Sequence, residues 1–173
     1  MGPVFRGRIA IVTALFLAGC ASVGRLSAAG DVHALLIAIR DDDRATFDAH
    51  VDKPALEARL QSELVYRARS ANLADPLTAA SVLFSGPLSR AAGAVLIQPR
   101  VFRAVADYYG YRPETPIPGT VALATVLTTL PGDRVCATRK KGGACLLTFA
   151  RRGGTWRLVD VDPAMLQLKA PGR

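Results

Sequence analysis

The sequence predicts an α+β domain in which helices come first and a four-stranded antiparallel meander follows. Val32, Leu35, Leu36 and Ile39 recur at helical spacing, and similar apolar stripes continue through the first two thirds of the chain. After residue 119 the pattern changes to short segments rich in Val, Thr and Leu, which turns separate. Helices grouped before strands are typical of the α+β class.

The first 19 residues predict a bacterial lipoprotein signal peptide. A basic head with Arg6 and Arg8 precedes an apolar run from Ile9 to Leu17, and small residues lead to Cys20. The apolar run is shorter than the roughly 20 residues that span a bilayer. The end Leu-Ala-Gly-Cys resembles the lipobox, in which the cysteine thiol takes a diacylglyceryl group and becomes the new N-terminus. The alternative is an ordinary signal peptide with an incidental cysteine.

Cleavage before Cys20 divides the chain into three parts. Residues 1–19 form the signal peptide, residues 20–30 are small and polar and predict a flexible tether, and residues 31–173 form a single α+β domain. Ala21, rather than Asp, follows the cysteine, which resembles the sorting signal for the outer membrane. We therefore expect an outer-membrane lipoprotein that faces the periplasm, with inner-membrane anchoring as the alternative.

The charge balance favours anionic partners. Without Arg6 and Arg8, 20 basic residues stand against 14 acidic ones, so the mature chain carries a charge of +6. Such a charge favours phospholipid headgroups or lipopolysaccharide, although it equally serves solubility. The turn cluster Arg139, Lys140 and Lys141 is the candidate contact, with a solvated hairpin tip as the alternative. Export and the lack of a nucleic-acid motif argue against nucleic-acid binding.

Local signals mark where the helices begin and end. Asp31 is a plausible cap for the first helix, and the acidic run at residues 41–43 interrupts the helical pattern. Asp52 and Pro54 predict the start of the next helix, because Asp caps free N–H groups and proline is tolerated in the first turn. Pro99 opens a further helix.

The segment from residue 75 to residue 97 is almost uncharged. A membrane span is rejected, because Gly86-Pro87 breaks the run and Ser, Thr, Gly and Pro are frequent. A buried helical hairpin, or helices that line an apolar cavity, is the preferred interpretation.

The last third of the chain predicts four strands. They are expected over residues 120–130, 134–138, 144–150 and 156–161. Glycine-containing turns separate them, so consecutive strands pair as antiparallel hairpins.

Two cysteines remain once Cys20 is assigned to lipidation. Cys136 and Cys145 lie on consecutive predicted strands, and a turn centred between Lys140 and Lys141 places them directly opposite each other. Opposed positions suit a disulfide, which is the default state in the oxidising periplasm. The alternative is two free buried thiols. No Cys/His ligand spacing is present, so we expect neither a metal nor a cofactor.

Two stretches resemble an uncharacterised family of small bacterial envelope proteins, known as a domain of unknown function. One contains Asp52 and Pro54 within a V-D-x-P-x-L helix start, and the other contains Trp156 within a G-x-W-[KR]-L-x-D-[IV] strand. The resemblance covers most of residues 31–162 and marks these three residues as a structural motif. It implies an N-terminal membrane or lipid anchor but no activity. The last strand is also similar to that of cone-shaped folds of the nuclear-transport-factor type, which enclose a pocket.

Two classes of function follow. The leading hypothesis is a non-catalytic accessory or binding module of the envelope, anchored through lipid on Cys20, with a protein or an apolar small ligand as its partner. The alternative is a small pocket enzyme of the cone type that uses His50, close to Asp52, or Asp160. An enzyme should show a titratable group inside a deep pocket, whereas a module should have an apolar or filled interior.

Overall fold

The computed structural model describes residues 4–70, 95–108, 110–139 and 142–162, with the backbone alone for residues 4–22, 64, 65 and 67–70. Within these residues, five helices precede four strands. They are α1 (Val4–Asp41), α2 (Arg44–His50), α3 (Lys53–Ser70), α4 (Pro99–Tyr108), α5 (Thr120–Val126), β1 (Leu127–Leu130), β2 (Arg134–Thr138), β3 (Cys145–Arg152) and β4 (Thr155–Val161). The predicted α+β class is therefore confirmed.

The strands form one antiparallel sheet in the order β1-β2-β3-β4, which confirms the predicted meander. The open edge of β4 is partly covered, because Val51 forms a parallel bridge with Leu158 and the Asp52 N–H donates to the Leu158 carbonyl at 2.9 Å. This covering satisfies polar groups that an edge strand otherwise leaves unpaired.

The acidic run between α1 and α2 makes the corner that the sequence predicts. Asp42 adopts a positive φ of 57°. Asp43 then caps α2, since its carboxylate accepts hydrogen bonds from the Thr46 hydroxyl at 2.6 Å and the Thr46 N–H at 3.1 Å. These hydrogen bonds hold the pKa of Asp43 below its usual value.

The start of α3 also matches its local signals. The Asp52 carboxylate accepts from the Ala55 N–H at 3.2 Å, and the Asp52 carbonyl accepts from the Leu56 N–H at 3.0 Å. Pro54 occupies the first turn, where it has no hydrogen bond to lose. Asp52 therefore caps α3, and Pro54 lies in its first turn.

The core lies between the sheet and the helices. Phe47 of α2, Val135 of β2, Phe149 of β3 and Leu158 of β4 are all less than 2% exposed. Phe47 also meets Phe102 of α4 edge to face, with ring centroids 5.3 Å apart. The apolar face of α1 completes this core with Ala28, Ala29, Val32, Leu35 and Ala38.

The prediction of a flexible tether over residues 20–30 is wrong. These residues continue α1, and Ala28 and Ala29 are fully buried. The prediction that Asp31 caps the first helix is wrong for the same reason, because Asp31 lies within α1. Small side chains allow α5 to approach closely: a Cβ atom built on Gly30 would lie 3.8 Å from the Thr120 methyl carbon. Residues that look like linker in composition therefore serve as a close helix–helix contact.

The prediction of a strand over residues 120–130 is wrong for its first seven residues, which form α5. Only Leu127–Leu130 are extended. Strand propensity depends on what a segment packs against. Here Leu123 is buried on the side of α5 that contacts α1, and this contact outweighs the preference of the Val and Thr residues.

The uncharged segment from residue 75 to residue 97 lies mostly outside the described residues. Within the described part of the chain, no helix has both the length and the apolar character needed to cross a membrane.

Candidate functional site

Titratable side chains from distant parts of the chain meet where α1, α2 and β4 come together. One oxygen of Asp31 accepts a hydrogen bond from the backbone N–H of Trp156 at 2.8 Å. Its other oxygen lies 3.5 Å from His50 Nε2. His50 Nδ1 lies 2.8 Å from the Thr46 carbonyl, and because a carbonyl only accepts, Nδ1 carries the proton. We call Asp31, His50 and Trp156 the three-element junction.

His50 does not have the surroundings that the sequence predicts. Its nearest acid is Asp31 rather than Asp52, and its side chain is only 14% exposed. Asp52 instead caps α3, with one oxygen 3.8 Å from Arg152 Nε. His50 therefore contacts the first helix, because α2 folds back along α1 and brings its last residue against Asp31.

Asp160 forms an ion pair with Arg59 of α3, and Arg59 Nε lies 2.9 Å from Asp160 Oδ1. The two side chains are 41% and 44% exposed, so water screens the pair. Exposed pairs of this kind contribute at most about 1 kcal/mol. The contact ties α3 to β4, which is a structural role.

Two surface depressions lie away from these groups. One is a groove of about 310 Å³ between α1 and α5, lined by Arg25, Leu26, Ala124 and Thr125. The other, of about 90 Å³, is lined by Arg44, Asp48, Lys53, Ile97, Gln98 and Pro99. Neither contains His50 or Asp160. Within the described ranges, no cluster of three His, Cys, Asp or Glu residues is placed to hold a metal.

Cys136 and Cys145 form a disulfide that joins β2 and β3, with Cα atoms 5.4 Å apart, as the sequence predicts. The predicted register is wrong, however. Cys136 pairs with Thr148, and Cys145 pairs with Thr138. At Cys145 the pairing differs from the predicted one by two residues, and an irregularity between Ala137 and Thr138 raises the difference to three residues at Cys136.

The structure describes only part of the two predicted surface features. Cys20 belongs to α1, but its side chain is outside the described set. Arg139 is exposed at the end of β2, while Lys140 and Lys141 fall outside the described residues. The Thr138 hydroxyl donates to the Val126 carbonyl at 3.4 Å, so the end of β2 lies beside the last turn of α5.

Replacement of Asp31 by alanine should lower the free energy of unfolding by about 1–3 kcal/mol, because the partly buried Trp156 N–H loses its acceptor. Asp31→Asn should lose less, since an amide oxygen still accepts this hydrogen bond. Urea unfolding of both variants and the wild type measures the difference. Equal stability of Asp31→Ala and the wild type would show that the junction does not hold β4 to α1.

Comparison with known proteins finds a match to one protein family. The model of a family described as "Protein of unknown function (DUF2939)" matches residues 14–105, more than half of the 173 residues. The match spans most of the helical part and ends before β1, so the Trp156 motif lies outside it. No curated protein and no solved structure matches at a significant level.

Proposed function

Because the chain belongs to DUF2939, a family of proteins of unknown function, we propose its role from its own residues: it is a lipid-anchored envelope protein that acts as a non-catalytic accessory or binding module. The observation that carries this proposal is the basic and apolar N-terminus that ends in Leu17-Ala18-Gly19-Cys20. In the mature protein the lipid sits at the beginning of α1.

The disulfide supports export from the cytoplasm. Cys136 and Cys145 are nine residues apart and bridge two neighbouring strands. Disulfides persist in oxidising compartments such as the periplasm and are rare in the cytosol. A structural disulfide therefore fits the compartment that the signal peptide implies.

The surroundings of the titratable groups favour a module over an enzyme. Asp31 and His50 hold three elements together, Asp52 caps a helix, and Asp160 pairs with Arg59. Each group has a structural partner, and neither depression described above contains His50 or Asp160. These contacts therefore do not support the alternative of a pocket enzyme that uses His50 or Asp160.

The partners we propose follow from the anchor and the charge. Ala21 after the cysteine resembles the outer-membrane sorting signal, so the domain faces the periplasm from that membrane. A mature charge of +6 favours an anionic neighbour. The partner is an envelope protein or an apolar small ligand, and the role needs no cofactor.

Replacement of Cys20 by serine should abolish lipidation, since the acyl chains are carried by its thiol and amino group. Cells grown with a clickable fatty acid and fractionated on a sucrose gradient provide the measurement. The wild type should carry the label and sediment with the outer membrane. A Cys136→Ser/Cys145→Ser variant is the matched cysteine control and should keep the label. Equal label on Cys20→Ser would refute the anchor, and sedimentation with the inner membrane would correct the location.

A further inference from the structure

The part of α1 that follows Cys20 and the exposed side of α5 carry large exposed apolar side chains. Val23 is 70% exposed, Leu26 50%, Val121 75% and Val126 39%. We call this surface, together with Arg25 and the neighbouring Arg139, the anchor face. Single exposed apolar residues are ordinary, but several on adjacent helices mark an interaction surface.

The α1 part of this face follows the proposed lipidation site directly. Val23 and Leu26 come three and six residues after Cys20, or about 5 and 9 Å along the helix axis at 1.5 Å per residue. Positions three residues apart lie on the same side of a helix. A lipid on Cys20 therefore keeps this side of α1 within about 10 Å of the bilayer.

The α5 part of the face lies on the exposed side of this helix, and the other side of the helix packs into the core. Leu123 is buried, whereas Val121 and Thr125, which are four residues apart on the same side of α5, are exposed. The groove of about 310 Å³ that contains Arg25, Leu26, Ala124 and Thr125 lies between the two helices. The exposed apolar surface is thus continuous from α1 to α5.

The charges on this face have one sign. Residues 20–30 and 119–126 contain no acidic residue, and Arg25 is the basic residue among them. Arg139 stands beside the end of α5, because the adjacent Thr138 bonds to the Val126 carbonyl. Apolar side chains flanked by arginines are typical of surfaces that lie in the interface of an anionic bilayer.

We propose that the anchor face lies on the membrane, with Val23, Leu26 and Val121 in the interfacial region and Arg25 and Arg139 against phospholipid phosphates. The inference rests on the proposed lipidation of Cys20, because the tether supplies a high effective concentration of bilayer. The face then orients the domain. The corner after α1 lies about 30 Å from position 20, measured along the helix axis.

A fluorescent label tests this orientation. Val121→Cys is labelled with an environment-sensitive fluorophore in the full lipidated protein, where Cys20 is acylated and the disulfide occupies the other two cysteines. Ala45→Cys is the matched control, because Ala45 is an exposed alanine near the far end of α1. Both are reconstituted into vesicles of phosphatidylethanolamine and phosphatidylglycerol, with or without a nitroxide lipid.

We expect a blue shift and nitroxide quenching at position 121, with neither at position 45. Weaker quenching at position 121 in pure phosphatidylcholine vesicles would support the charge contribution. An unquenched label at position 121 in protein whose lipid is verified by mass spectrometry would overturn the inference and leave the anchor intact. If mass spectrometry finds no lipid on Cys20 and the label at position 121 still shows the blue shift, the proposed lipid anchor would be refuted. The proposal that the anchor face lies on the membrane would then stand. Shielding of position 121 only in dimers, without quenching, would reassign the face to contacts between copies and also overturn the inference.

Discussion

Replacement of Trp156 by alanine is expected to lower the free energy of unfolding by about 3–5 kcal/mol, the usual loss for a buried aromatic side chain. Trp156 is 5% exposed and opens β4 directly after the Gly153-Gly154 turn. Its side chain packs in the core with Leu158 and Phe47. The loss is a large share of the roughly 5–15 kcal/mol that stabilises a small domain.

Trp156→Phe is the informative control. The indole Nε1 is buried and has no hydrogen-bond partner among the residues that the structure describes. Leaving such a donor unpaired costs about 1–3 kcal/mol, so phenylalanine removes a destabilising group while it keeps much of the apolar volume. We therefore expect a clearly smaller loss for Trp156→Phe than for Trp156→Ala.

Urea unfolding followed by circular dichroism measures all three proteins. Tryptophan fluorescence is unsuitable because Trp156 is the single tryptophan. Asp160→Asn is the polar control and should change stability by at most about 1 kcal/mol, since it removes an exposed ion pair. If Trp156→Ala unfolds at the same urea concentration as the wild type, Trp156 does not anchor the core.

Removal of the Cys136–Cys145 disulfide should cost about 2–3 kcal/mol. The bond closes a loop of about ten residues, and the chain-entropy model gives this stabilisation for a loop of that length. The Cys136→Ala/Cys145→Ala variant removes the bond without adding a polar group at Cys136, which is fully buried.

The reductant provides the control for this prediction. Dithiothreitol should lower the stability of the wild type to about that of the double variant and leave the variant unchanged. Alkylation of denatured, unreduced protein should find neither thiol free. Labelling of both cysteines under these conditions would contradict the bond.

Several elements could be predicted because their signals are local. The corner at Asp42 and Asp43 and the helix start at Asp52 and Pro54 depend on hydrogen bonds within three or four residues. The predicted bounds of β2, residues 134–138, are those observed. The order of helices and strands follows from the same short-range patterns of apolar and turn residues.

Other features depend on contacts between distant residues. Asp31 accepts a hydrogen bond from Trp156, which is 125 positions away in the sequence, and no local pattern near either residue predicts that bond. The pairing of His50 with Asp31, rather than with Asp52 nearby, has the same origin. The burial of Leu123 against α1 similarly decides that residues 120–126 are helical.

The sequence by itself determined the class of fold, the disulfide partners, the cap of α3 and the placement of helices before strands, because each depends on local spacing and residue chemistry. Only the tertiary structure decided that residues 28 and 29 are core, that His50 is a junction residue and that β2 and β3 pair with a shifted register. The physical reason is that burial and strand pairing depend on which distant segment of the chain packs against a residue. Small and β-branched residues are compatible with a linker, a helix or a strand, and the packing of that distant segment decides between them.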